Sequence, residues 1–235
     1  MTKHQFFDLL SAFGAMTATM LVYRWRLQGS VIDPDRTISK AYLAALVLGA
    51  AVGAYVFGTA NLWLSGLDEI DRSIVGALFG AIAAVELHKW HVGIRRSTGL
   101  IFVTGFSLSV AIGRIGCLLS GLDDNTYGIP TGADWGWDFG DGIPRHPVQL
   151  YESLAMAAFL AFAVLALARR QPFFMRNGFY LMVGFYASQR FLWEFLKPYA
   201  TVVGPLNIFH ILCLVLIEYS ALMIAREHRL ESAIA

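Results

Sequence analysis

Long apolar stretches separated by short polar segments run through this 235-residue chain. Seven of them approach the roughly 20 residues that an α-helix needs to cross about 30 Å of hydrocarbon. Their approximate bounds are 5–23, 41–64, 73–88, 99–119, 148–168, 178–196 and 206–225. The pattern predicts an all-α integral membrane protein with a bundle of about seven transmembrane helices. We expect residues 1–235 to form a single polytopic membrane domain, with an outside loop at about 120–147.

Composition supports the same class and narrows the chemistry. Hydrophobic residues make up 57% and charged residues 15% of the chain, and the mean hydropathy is +0.56, which is far too apolar for an ordinary soluble domain. The net charge of +1 gives no support for nucleic-acid binding. Cys117 and Cys213 lack metal-ligand spacing. The aspartates of the outside loop at about 120–147 lack the calcium-loop pattern. The sequence therefore predicts no metal and no other cofactor.

The basic residues of the loops predict the orientation. Of the 18 Lys and Arg residues, 12 fall in one set of alternate loops and tails and four in the other set. Because positive residues accumulate on the cytoplasmic side, the N-terminus is predicted outside and the C-terminus in the cytoplasm. Seven crossings require the same opposition of the two ends.

Two arginines remain inside apolar segments, Arg114 and Arg190. A charge at the centre of a membrane helix costs at least about 2.5–3.5 kcal/mol, so such a residue indicates a functional site or a structural ion pair. Glu194, four residues after Arg190, and Glu152 are the candidate partners. At 1.5 Å per residue, Arg114, Arg190 and Glu152 lie about 7–12 Å below the outer end of their helices. A phospholipid phosphate could reach this level, and the planar fork of arginine suits its oxygens.

Two further segments carry polar residues into apolar helices. In "RHPVQLYE", Pro147 suits the first turn of a helix, and Gln149 and Glu152 share one face of it. In "YASQRFLWEF", every fourth residue is polar, which makes a stripe that must face protein or a wet cavity. The stripe consists of Tyr186, Arg190 and Glu194.

These segments resemble the prolipoprotein diacylglyceryl transferase family, whose members are bacterial seven-helix inner-membrane enzymes with the N-terminus outside. "GRIG" matches the family's glycine-arginine-x-glycine motif. "HPVQLYE" matches its histidine-proline-serine-glutamine-leucine-tyrosine-glutamate motif, with Val148 in place of the serine. The polar stripe matches the late tyrosine, arginine and glutamate of the family at the same spacing.

The resemblance implies a transferase that moves the diacylglyceryl group of phosphatidylglycerol to the lipobox cysteine thiol of a prolipoprotein, releasing glycerol phosphate. Arg114 and Arg190 are expected to hold the phosphate, with Tyr186 and Glu152 as further catalytic residues. The proton acceptor is left open among Tyr186, His146 and Glu152. The residues expected to bind substrate are Arg145, His146, Gln149, Tyr151 and Glu194. The implied location is the bacterial inner membrane, with phospholipid and prolipoprotein as partners.

The chain departs from the family pattern at several polar positions. Val75 stands where members usually carry a histidine, and an asparagine, a second asparagine and a glutamate are replaced by Cys117, Ser120 and Leu122. These changes leave two hypotheses: a transferase acting on the same or a divergent acceptor, and a non-catalytic phospholipid-binding or transport protein. The retained Glu152 and polar stripe favour the first hypothesis, whereas Val75 and Leu122 favour the second.

Overall fold

Seven long α-helices make up most of the protein in a computed structural model that describes residues 3–29 and 38–232. The helices are α1 (Lys3–Val22, continued by a π-helical turn Tyr23–Leu27), α2 (Lys40–Leu64), α3 (Ile74–Val92), α4 (Val103–Ser120), α5 (Val148–Ala168), α6 (Pro172–Glu194) and α7 (Ile208–Ser232). Short 3-10 turns lie at Leu100–Phe102 and Gly121–Asp124. The strands β1 (Trp137–Asp138) and β2 (Pro144–Arg145) form a small antiparallel hairpin.

Local sequence signals define several helix ends. Ser39 and Ser73 cap α2 and α3, each accepting a hydrogen bond from the backbone N–H three residues later. Gly93 ends α3 in the left-handed conformation, with φ of 78°. Pro172 occupies the first position of α6, where its missing N–H is not needed.

Five helices in the described part of the chain are long and apolar enough to cross a membrane. These spans are His4–Leu27, Lys40–Leu64, Leu100–Asp124, Val148–Ala168 and Ile208–Arg229. The expectation of a helical, multi-pass membrane protein is thereby confirmed, while seven crossings and the orientation of the ends stay predictions. α3 and α6 fall short of the others because they carry charged and polar side chains, toward the end of α3 and near both ends of α6.

Large apolar side chains on the surface agree with a lipid environment. Leu9, Phe13 and Met16 on α1 are 64, 70 and 73% exposed, and Val47 and Leu48 on α2 are 61 and 65% exposed. Apolar surface of this extent is unusual on a soluble monomer. In a bilayer it faces hydrocarbon.

The helices group into two compact units. One contains α1, α4, α5 and α6 with the hairpin loop, and the other contains α2, α3 and α7. The single membrane domain predicted from the sequence stays a prediction.

In the first unit, α4 packs against both α1 and α5. The Ser153 hydroxyl on α5 donates a hydrogen bond of 2.7 Å to the Ala111 carbonyl on α4. Gly116 lies against Phe7, so a β-carbon there would overlap the α1 side chain. Beyond α1, Arg26 Nε donates to the Leu167 carbonyl at 3.1 Å and so caps the C-terminal end of α5. These contacts fix the depth of α4 and α5 relative to each other.

In the second unit, α2 and α3 cross at close range. Gly49 lies against Gly80, and Gly53 lies against Gly76, with the backbones in contact. Small residues spaced four apart let membrane helices approach in this way. α7 joins the pair through the Tyr219 hydroxyl, which donates to Glu86 Oε1 at 2.9 Å.

Candidate functional site

The charged residues that the sequence places inside apolar segments meet in the first unit. Arg114 projects from α4, Glu152 from the second turn of α5, and Arg190 and Glu194 from the last turns of α6. All four side chains are at most 4% exposed. The fold thus brings three helices together around one buried polar cluster.

Glu152 is the centre of this cluster. Its Oε2 lies 2.6 Å from Arg114 Nε, an ion pair without hydrogen-bond alignment. Its Oε1 accepts hydrogen bonds of 2.6 Å from Arg190 Nη1 and of 2.9 Å from Lys197 Nζ. Arg190 Nε also lies 2.8 Å from Glu194 Oε2, which is the pair expected from their spacing. Both carboxylates that the sequence nominated as ion-pair partners are therefore used.

Lys197 is the member of the cluster that sequence reasoning missed. It follows α6 and is one of the four loop and tail cations that the sequence predicts on the outside, yet only 5% of it is exposed. The signal was present, because Lys197 is three residues after Glu194 and extends the stripe of Tyr186, Arg190 and Glu194 by a further turn. The Glu194 carbonyl accepts a hydrogen bond of 3.2 Å from the Lys197 backbone N–H, which closes a turn directly after the end of α6.

The cluster carries one more positive than negative charge. Its cations are Arg114, Arg190 and Lys197, and its carboxylates are Glu152 and Glu194. Buried charges are costly unless they are compensated, and a single excess cation favours an anionic ligand at the same place.

Gln149 and Tyr186 are buried on the two helices that supply Glu152 and Arg190. Gln149 is fully buried, and neither its amide nitrogen nor its amide oxygen has a hydrogen-bond partner among the described residues. A buried amide normally makes hydrogen bonds, so these two atoms can serve a polar ligand. The Tyr186 ring is also fully buried and packs edge-on against Phe106, with ring centroids 5.2 Å apart.

The beginning of α5 carries a polar and aromatic group. His146 Nδ1 lies 3.3 Å from the Tyr151 hydroxyl, which also accepts a hydrogen bond of 2.9 Å from Trp135 Nε1. Trp193 on α6 lies against the Tyr151 ring at 5.2 Å. The loop therefore closes on the first turns of α5. α5 starts at Val148, as the apolar stretch indicates, and Pro147 is its N-cap residue instead of part of its first turn.

Arg145 is engaged within the loop. Its Nη1 donates to Asp141 Oδ1 at 2.7 Å, and its guanidinium lies over the Tyr127 ring at 5.3 Å. The hydrogen bond from Arg145 holds the pKa of Asp141 below its usual value. Arg145 thus stabilises the β1–β2 hairpin, and its expected contact with substrate stays a prediction.

Comparison with known proteins identifies the family. Residues 3–226 match the model of the family described as prolipoprotein diacylglyceryl transferase. A phosphatidylglycerol–prolipoprotein diacylglyceryl transferase of Geobacter sulfurreducens is 27% identical over 222 residues, covering 87% of this chain and 82% of the relative. One from Nitratidesulfovibrio vulgaris (strain DP4) is 28% identical over 237 residues, covering 92% of this chain and 87% of the relative. One from Bordetella parapertussis is 31% identical over 172 residues, covering 68% and 64%. The chain belongs to the prolipoprotein diacylglyceryl transferase family.

Proposed function

We propose that this protein transfers the diacylglyceryl group of phosphatidylglycerol to the lipobox cysteine thiol of a prolipoprotein. The second product is glycerol phosphate. The relatives carry the name of this activity, and the buried cluster has the charges that such a reaction needs. The enzyme acts from the bacterial inner membrane, as a multi-pass protein whose two substrates reach it at the outer face.

The observation that carries the proposal is the convergence of three buried cations on Glu152. A nitrogen atom of each cation, Arg114, Arg190 and Lys197, lies within 2.9 Å of one of the two Glu152 carboxylate oxygens. A phosphodiester carries one negative charge, which equals the positive charge that the cluster has in excess. The two carboxylates hold the guanidinium groups in fixed positions, so little reorganisation is needed when the anion arrives.

The reaction moves negative charge toward these cations. The acceptor sulfur, as thiolate, forms a bond to the glyceryl carbon that bears the phosphodiester, and the bond from this carbon to the phosphate oxygen breaks. The electron pair of the broken bond stays on the phosphate, which leaves as glycerol phosphate with one more negative charge. The thiol proton is taken up by one of the candidate acceptors Tyr186, His146 and Glu152 and passes from there to solvent. Cations placed where charge develops lower the barrier of such a step.

The remaining site residues receive substrate-binding roles. Gln149 offers a donor and an acceptor to the polar headgroup. Tyr186, which is buried on α6, is a further catalytic residue. Glu152 and Glu194 position the arginines. His146, Tyr151 and Arg145 bind substrate at the loop that begins α5, where the polypeptide acceptor arrives.

The positions at which this chain departs from the family pattern leave the identity of the acceptor open. Val75, Cys117, Ser120 and Leu122 replace polar residues, whereas the phosphate-binding cations are retained. Retained cations together with replaced polar residues are consistent with a divergent acceptor and the same phospholipid donor.

Measurement of glycerol phosphate release tests the proposal. The purified protein is incubated with phosphatidylglycerol vesicles and a lipobox peptide, and the native chain is compared with Arg114→Ala, Arg190→Ala and Arg190→Lys. We expect turnover by the native chain, its loss in both alanine variants, and at least a tenfold decrease for Arg190→Lys, because lysine lacks the bidentate fork. Arg96→Ala, at an exposed arginine of the second unit, serves as the control with unchanged turnover.

A different outcome would identify the alternative class. If the native chain releases no glycerol phosphate with any phospholipid or acceptor, while vesicle binding still depends on Arg114 and Arg190, the protein is a phospholipid-binding or transport protein. Thermal unfolding of each variant separates loss of activity from loss of folding.

A further inference from the structure

Three side chains that the transferase chemistry does not use meet where α1 begins and α4 ends. His4 lies in the first turn of α1, Cys117 in the last turn of α4, and Asp124 in the 3-10 turn that follows. One ring nitrogen, the thiol sulfur and one carboxylate oxygen all lie within 4.8 Å of one another. His4 Nε2 and Asp124 Oδ1 are 3.0 Å apart.

These separations are close to those around a tetrahedral transition-metal ion. With metal bonds of about 2.0–2.3 Å, tetrahedral nitrogen, oxygen and sulfur ligands stand about 3.3–3.7 Å apart. Side-chain adjustments of about 1 Å would bring the three atoms onto one ion at these bond lengths. The His4 side chain is 33% exposed, which leaves a path from solvent.

The outer contacts of the cluster match those of a metal site. Metal-binding histidines usually pair their second ring nitrogen with a carboxylate, and binding carboxylates are themselves hydrogen-bonded. His4 Nδ1 lies 3.1 Å from Asp8 Oδ2, one turn along α1. Asp124 Oδ2 accepts a hydrogen bond from the Thr126 hydroxyl. Both contacts leave His4 Nε2 and Asp124 Oδ1 directed at each other.

We propose that His4, Cys117 and Asp124 bind a divalent transition-metal ion of the zinc class. A mixed nitrogen, sulfur and oxygen set selects such an ion over Mg²⁺ and Ca²⁺, which prefer oxygen ligands. Binding replaces the thiol proton of Cys117 with a sulfur–metal bond and releases that proton to solvent. Three protein ligands leave a fourth position for water.

The ion would join the start of α1 to the end of α4, next to the phosphate-binding cluster. Cys117 Sγ lies 4.0 Å from Arg114 Nη1. Its conversion to a metal-bound thiolate therefore places a negatively charged ligand beside this arginine. The metal site does not depend on the transferase reaction, since its ligands and its test are separate from the cluster around Glu152.

Titration with Co²⁺ tests the site, because sulfur-bound cobalt has a charge-transfer absorption that nitrogen and oxygen ligands do not give. The full chain, freed of any histidine tag and held reduced in detergent, is titrated with Co²⁺ and then with Zn²⁺ as competitor. We expect a saturable absorption that Zn²⁺ abolishes. The chain has two cysteines, so Cys213→Ser provides a matched control that keeps the band, while Cys117→Ser removes it.

Two further variants complete the test. His4→Ala is expected to weaken Co²⁺ binding at least tenfold, and Asp8→Asn about 10–100-fold, as the loss of an outer partner does at other metal sites. Absence of the band in the folded native chain, or its persistence in Cys117→Ser, would show that the three side chains form only a hydrogen-bonded group.

Discussion

Glu152 and the cations around it have unequal effects on stability. Removing the carboxylate leaves Arg114, Arg190 and Lys197 buried with their shared partner lost, whereas removing Lys197 leaves Glu152 with two arginines. A buried charge without compensation is far more costly than a buried charge with fewer partners. We therefore expect the removal of Glu152 to lower stability more than the removal of Lys197.

Glu152→Gln is expected to lower the free energy of unfolding by about 3–5 kcal/mol, the cost of breaking a buried ion pair by removing one partner. Denaturant unfolding in detergent measures it. Asp141→Asn, which removes a carboxylate from the partly exposed pair with Arg145, is the control and is expected to change stability little. Equal stability losses in the two variants would contradict the central place given to Glu152.

Lys197→Met is expected to reduce phosphatidylglycerol turnover at least tenfold, because it removes the excess positive charge that attracts the phosphate. Lys197→Arg keeps the charge and is expected to keep most of the turnover. The measurement is kcat/KM for phosphatidylglycerol, determined for both variants with the lipobox peptide in excess. Full activity of Lys197→Met would show that the two arginines suffice.

Among the elements, α2 and α3 illustrate a packing signal that hydropathy alone does not reveal. Gly49, Gly53, Gly76 and Gly80 are each spaced four residues apart in their helix and meet across the crossing. The spacing is visible in the sequence, but only the tertiary structure shows that α2 and α3 pair. A side chain at these positions would force the backbones apart.

Gly53→Ala should destabilise the second unit, since a β-carbon there would overlap the Gly76 carbonyl oxygen. We expect a loss of about 1–3 kcal/mol, as for other overpacked sites. Unfolding of the variant in detergent measures it. Gly113→Ala is the matched control. Apart from the backbone of its own helix and its chain neighbours, no heavy atom of the described residues lies within 4 Å of the added carbon, and the helix gains roughly 0.5–1 kcal/mol from the loss of a glycine. Tolerance of both changes alike would contradict the close crossing.

At the scale of the whole molecule, the topology rests on the positive-inside rule and on whether α3 and α6 cross the membrane. Their last turns are polar because they carry residues used for packing and for the site, such as Glu86 and Lys89 on α3 and Arg190 and Glu194 on α6. Hydropathy therefore underestimates helices that bury polar groups against protein.

Labelling of intact cells with a membrane-impermeant maleimide tests the seven crossings. Single cysteines are introduced on both sides of α3 (Ile70→Cys and Arg96→Cys) and of α6 (Arg170→Cys and Val203→Cys), all at exposed positions, in a chain without the native cysteines. We expect labelling at 70 and 203 and protection at 96 and 170. Equal labelling on both sides of either helix would show that this helix does not cross, and the reverse pattern would invert the orientation.

Hydropathy and periodicity in the sequence determined the membrane class, the approximate helices and four members of the buried charged cluster. These signals are local: an apolar run of spanning length, an arginine within it, and polar residues spaced four apart need no knowledge of the partner helix. Arg114, Glu152, Arg190 and Glu194 were therefore identified before their contacts were known.

Only the tertiary structure decided which distant groups meet. Lys197 lies in the segment after α6, where the sequence predicts an outside loop, yet its side chain reaches Glu152, 45 residues away in sequence. His4, Cys117 and Asp124 have no metal-ligand spacing along the chain, and they come together only because α1 packs against α4. Such clusters depend on how helices pack, and packing is set by shape and small residues across an interface, so a sequence read along one helix at a time does not reveal them.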